Sequence, residues 1–165
     1  MLRGPLFPLA VLNGARHHFK NRETIMSTKD YTIDKESAGV EFDRFVDAMD
    51  LDIDTAELDA EDLTAFNKQK SRIIRAIMRG ELIVNDNGEA VYTPINPKSK
   101  HKDAITFHER TGASLMAMDG KKKNYDVTKT YAIMGDMCKV HPSTFAGLMG
   151  TDVKVCEALF SLLMD

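Results

Sequence analysis

No stretch of this sequence approaches the roughly 20 consecutive apolar residues that a membrane-spanning helix needs, and nothing in it reads as a membrane protein. Cysteine is scarce. Cys138 and Cys156 are too few for a disulfide framework, and both fall on apolar helical faces, as expected of reduced, buried thiols. Glycines 112, 120, 135, 147 and 150 form no phosphate-cradling pattern. The basic residues come in short clusters without interleaved aromatics, which argues against nucleic acid as a partner. A Cys138–His141 pair is formally present, but nothing marks the third, orienting group that nucleophilic catalysis requires. No internal repeat is visible. The sequence therefore predicts a non-enzymatic protein with no implied cofactor.

What is present suits a globular chain. At 165 residues, 43% hydrophobic and 28% charged, it has enough apolar material for one modest core and too little for two comfortable ones. The net charge of −3 hides an uneven distribution. From Ser27 to Asp62 there are thirteen Asp and Glu against three Lys and Arg; from Leu63 onward there are fifteen Lys and Arg against eleven Asp and Glu. An acidic segment joined to a mildly basic body suggests self-association of the two or separate use of each.

Read in order, the chain predicts an α+β fold with N-terminal acidic helices, a small antiparallel β-sheet (a hairpin plus one strand) and a C-terminal helical subdomain. Residues 1–25 differ in style, with four basic residues, one acid, and prolines at 5 and 8. The proline-broken Leu6–Leu12 run lacks the continuous apolar centre and cleavage site of a secretory signal. Arg22-Glu23 can be encoded as a ribosome-binding sequence just ahead of Met26, so translation is expected to start there, with residues 1–25 a disordered or untranslated extension. Residues 26–58 read as an acidic helical arm and 59–165 as a single α+β domain. Within the arm, Phe42, Phe45, Val46 and Met49 recur at i, i+3, i+4 and i+7, and Asp34 to Asp50 is expected to be helical. Asp59 to Arg79 predicts a longer helix, acidic at its start, basic at its end and stopped by Gly80. Asn85-Asp-Asn-Gly88 between Glu81–Val84 and Ala90–Thr93 is a hairpin signal, with Ile105–Glu109 the third strand. Helices follow, begun by Thr111 or Ser114, Asp126, Pro142, and Thr151 or Asp152. On this reading, deleting residues 1–54 should leave a folded body.

Three constellations could carry chemistry. Asp50, Asp52, Asp54 and Glu61 stand at positions one, three, five and twelve of an EF-hand-like calcium loop, but Thr55 replaces the turn glycine and Glu57 a usual aliphatic. The bland reading is an acidic linker entering a helix. Cys138 and His141, with His108 and Cys156 elsewhere, offer only one close ligand pair where structural zinc wants two. Met116, Met118, Met134, Met137, Met149 and Met164 are concentrated in the last third, and such flexible, polarizable side chains either fill a helical core or form an adaptive surface for apolar partners.

From about Gly80 to the C-terminus the chain resembles tail assembly chaperones of tailed bacteriophages. The residues carrying the resemblance are Asn85-Asp-Asn-Gly-Glu89, Ile105-Thr-Phe-His-Glu-Arg-Thr-Gly112 and Leu115-Met-Ala-Met-Asp119. Tyr131-Ala-Ile-Met-Gly-Asp-Met137, the Val140-His-Pro-Ser-Thr-Phe145 turn and the Leu148…Asp152…Leu159-Phe160 ending continue it. The resemblance implies a small, largely helical protein of the host cytoplasm that holds the long, apolar tape measure protein until tail tube protein polymerises around it. Homo-oligomers are compatible with it. It implies no catalytic residues. The alternatives are a minor structural virion component such as a head–tail connector protein, and a calcium-binding helix-loop-helix protein. A helical client would enter through i, i+3, i+4, i+7 anchors. The expected surface is Leu115, Met116, Met118, Tyr131, Met134 and Met137, bordered by Lys121, Lys122, Lys123 and Lys129. The competing reading makes Tyr131, Met134 and Cys138 the stripe of a core helix; Met116, off the Leu115–Met118 stripe, distinguishes the two.

Overall fold

A computed structural model describes residues 31–116 and 126–164, save the side chains of Leu115 and Asp126. Residues 1–30, on which the expected N-terminal extension falls, lie outside the description, as do residues 117–125 with Met118 and Lys121–Lys123. The described elements run α1 (Lys35–Ala48), α2 (Ala60–Met78), β1 (Leu82–Val84), β2 (Ala90–Tyr92), β3 (Ile105–Phe107), α3 (Gly112–Met116), α4 (Asp126–Met137), α5 (Ser143–Ala146) and α6 (Thr151–Met164). The fold is mixed α+β, as its sequence pattern predicts.

Local chemistry sets the helix ends. The Asp34 carboxylate accepts from Ser37 N at 2.8 Å, and that of Asp59 from Glu61 N and Asp62 N, satisfying amides that have no intrahelical partner. Gly80 follows α2 at φ 70°, the left-handed conformation a helix stop favours. The acidic α1 buries Ala38, Phe42 and Phe45, and Met49 just past its end, in the same core as Ile73 and Ile77 of α2. Through this shared core α1 is part of the packed body, which bears against the expectation that a chain lacking residues 1–54 still folds cooperatively. Its charges occupy the outer faces while an apolar stripe docks.

The sheet is an antiparallel meander in the order β1-β2-β3. Its register aligns Leu82, Tyr92 and Ile105 in one row and Val84, Ala90 and Phe107 in the next; all six are buried, and this face meets the helices. At the hairpin tip the Asn85 side-chain oxygen accepts from Asn87 N and Glu89 N. Gly88, at φ 80°, comes so close to α1 that a Cβ there would sit 2.0 Å from that of Ala48. Arg44 of α1 donates to the carbonyl oxygens of Asn85 (2.7 Å) and Val84 (2.5 Å), tying α1 to the hairpin.

Asp152 is a further correction. It is not the N-cap of α6 but lies within its first turn, fully buried, with its carboxylate turned into the protein. It accepts from Tyr92 Oη (2.8 Å), Ser99 Oγ (2.6 Å), Ile95 N (3.2 Å) and Asn96 N (3.1 Å). One side chain thus anchors the β2–β3 connection to α6. Burial and the adjacent carboxylate push the Tyr92 phenol far above its ordinary range.

Candidate partner-docking surfaces

The methionine surface expected from the sequence divides on inspection. Met134 and Met137 are 1% and 2% exposed, and Tyr131 packs on the core with its ring 6.1 Å from that of Phe145. These three belong to the inner stripe of α4, and the expectation that they form an open surface is corrected. Met116 is 68% exposed and faces solvent, as its position off the stripe predicts. Leu115, Met118 and Lys121–Lys123 fall outside what is described.

The metal candidates are not assembled either. Among the described residues no group of three or more His, Cys, Asp or Glu side chains is placed to hold an ion, so Asp50, Asp52, Asp54 and Glu61 form no calcium site as arranged. Asp54 instead accepts from Ala56 N at 2.8 Å, an ordinary turn contact. Cys138 and Cys156 are buried free thiols; burial pushes the Cys138 thiol up to about 12 and raises that of Cys156, so neither is an activated nucleophile. His108 pairs with Glu89 at 2.6 Å and His141 with Ser143 at 2.7 Å. No described helix is long and apolar enough to cross a membrane.

Exposed apolar surface is concentrated elsewhere. Ser37, Val40, Glu41 and Arg44 recur at i, i+3, i+4 and i+7 on a face of α1 distinct from the buried phenylalanine stripe. Opposite them run β1 and the end of α2. Together they bound a groove of about 570 Å³ whose apolar lining includes Ile33, Ile77, Leu82 and Val84. Two large aliphatic side chains stand out of it, Val40 at 63% and Ile83 at 61% exposure. The Glu41–Arg44 ion pair, 2.6 Å long, closes the polar side. An isolated exposed aliphatic is unremarkable, but two in one apolar groove are a patch.

Sequence reasoning missed this groove, although a signal existed. Leu82-Ile83-Val84 is three apolar residues in a strand whose side chains alternate, so the middle one must point away from the core. Val40 similarly sits off the Phe42–Phe45–Met49 stripe. Compared with protein-family models, with curated proteins and with solved structures, the chain gives no match in any of the three.

Proposed function

We propose that this protein is a non-enzymatic holding factor that shields an apolar, helical client, as a phage tail assembly chaperone does for the tape measure protein in the host cytoplasm before tail tube protein assembles. The observation that carries the reading is the α1–β1 groove, with Val40 and Ile83 exposed on its two sides. One face of α1 and the facing strand make a trough along which an amphipathic helix can lie. Burying what is still exposed of each, 63% of Val40 and 61% of Ile83, would contribute about 1–2 kcal/mol per side chain, enough for them to act as anchors. The ion pair Glu41–Arg44 would stay at the rim, where charges set register more than affinity.

The test is co-expression with a tape measure fragment. Val40→Asp and Ile83→Asp should each abolish solubilisation of the fragment while leaving the melting temperature nearly unchanged, because both side chains already face solvent. Retained solubilisation by both variants would refute the placement of the site. Mass spectrometry of purified particles checks the class of function. A holding factor is absent from virions, whereas a head–tail connector protein would be present.

A further inference from the structure

Positive charge gathers at one place that the fold leaves short of counter-ions. Arg72 and Arg75 near the end of α2 and Arg79 just past it recur at i, i+3 and i+7, and Lys154 of α6 lines the same cleft, which measures about 240 Å³. The lining includes one carboxylate, Glu81, whose Oε1 lies 3.6 Å from Arg79 Nη1. Arg75 donates from Nε to the carbonyl oxygen of Ser71, which leaves its charge uncompensated. Among the described residues neither the Arg72 nor the Lys154 side chain has a hydrogen-bond or ion-pair partner. Three cations thus surround a cleft with no anion to pair them.

The arrangement favours one class of ligand. Three guanidinium groups over seven helical residues span about 10 Å, a row and not a single focus. A lone phosphate would engage one or two of them. Carboxylates spaced along one face of another helix can reach Arg72 and Arg75 and, across the cleft, Lys154, and the arginine fork suits a carboxylate in particular. A single-stranded nucleic acid would seek aromatic faces for its bases, and no aromatic side chain lines the cleft. Ala76 and Val155 supply apolar surface between the charges.

We propose that this α2–α6 cleft docks an acidic helical segment of a protein partner, its carboxylates pairing with Arg72, Arg75 and Lys154. The cleft shares no lining residue with the α1–β1 groove, so either surface can fail its test while the other stands.

Fluorescence anisotropy with the full chain at low ionic strength tests it, using a labelled alanine-based helical peptide bearing Glu at i, i+3 and i+7. The peptide should bind, its counterpart with Gln at those positions should not, and binding should weaken as salt is added. Arg72→Glu/Arg75→Glu should weaken binding roughly tenfold or more without shifting the melting temperature. Lys154→Glu, on the other helix, should do the same and carries the test if the double variant does not fold. Equal binding of the Glu and Gln peptides would overturn the proposal. So would unaltered binding by the variants, stronger binding of inorganic phosphate or a single-stranded oligonucleotide, or self-association of the chain in place of peptide binding.

Discussion

Replacing Asp152 with Asn keeps the shape of the side chain and reverses half of its chemistry. The carboxylate accepts from four groups, the Tyr92 and Ser99 hydroxyls and the Ile95 and Asn96 amides. An amide presents one oxygen and one NH2 group, so one pair of donors must then face a donor. If the NH2 group takes the Oδ2 position, Ser99 can rotate its hydroxyl and accept, but the Asn96 amide, fixed by the backbone, loses its 3.1 Å partner and keeps only the longer 3.4 Å contact to Oδ1. If it takes the Oδ1 position, the Ile95 amide is stranded in the same way and Tyr92 must turn its hydroxyl. A buried donor left unsatisfied costs about 1–3 kcal/mol, and loss of the negative charge weakens the bonds that survive. The expected loss is about 3 kcal/mol, a large share of the roughly 5–15 kcal/mol that holds a domain together. Urea denaturation should show it as a midpoint lower by about 1.5 M at a slope near 2 kcal/mol/M. Tyr92→Phe should cost less, about 1–1.5 kcal/mol, because it removes a donor without orphaning one. A loss below about 0.5 kcal/mol for Asp152→Asn would refute the view that this carboxylate organises the β2–β3 connection.

Gly88→Ala should destabilise by about 3 kcal/mol, from the left-handed backbone and the 2.0 Å approach to Ala48; adding Ala48→Gly should recover only the steric part, read from chemical denaturation of the double variant. Deleting residues 1–54 should abolish the cooperative thermal transition followed by circular dichroism, since Phe42 and Phe45 alone contribute about 1.5–3 kcal/mol each by burial; a sharp transition in the truncated chain would show that α1 is dispensable. Glu81 is buried, and desolvation raises its pKa above the ordinary 4.5 despite Arg79 beside it. The folded state then holds its proton more tightly than the unfolded state, so this group subtracts stability as pH rises from about the ordinary carboxylate value through the raised one. Glu81→Gln should therefore gain on the parent protein in melting temperature between acidic and neutral pH, and a pH-independent difference would contradict this.

The features legible in the sequence are those decided locally. Asp34 and Asp59 cap α1 and α2 because a carboxylate before an amphipathic run meets amides two or three residues away. The hairpin follows from Asn85 and Gly88, whose turn chemistry is complete within five residues. Asp152 was not legible as an anchor because an acid in a first turn looks the same whether it faces solvent or core. Its donors lie between Tyr92 and Ser99, more than fifty residues upstream. The acidic segment misled in another way. Charge counts average over all faces of a helix, whereas docking needs only one stripe, and Phe42, Phe45 and Met49 provide it. The α1–β1 groove exists only once two distant elements meet, so no single window of sequence contains it.

The burial of the methionines bears on how the proposed holding function could select its client. With no tryptophan, the core takes volume from flexible side chains, and Met49, Met134 and Met137 are inside it. They are then committed to packing and are not free to adapt to a client. The exposed aliphatics of the α1–β1 groove are Val40 and Ile83, both β-branched and stiff at χ1. A methionine-lined surface repacks around varied partners, whereas a β-branched groove selects by shape. If the groove holds the client, recognition should be narrow. A panel of amphipathic helices with matched hydrophobicity and different anchor side chains should bind with affinities spread over tenfold or more, since one methylene in a shaped apolar site is worth about 1–3 kcal/mol. Uniform affinity across the panel would place the client-binding surface elsewhere, with Met116 the first exposed methionine to examine.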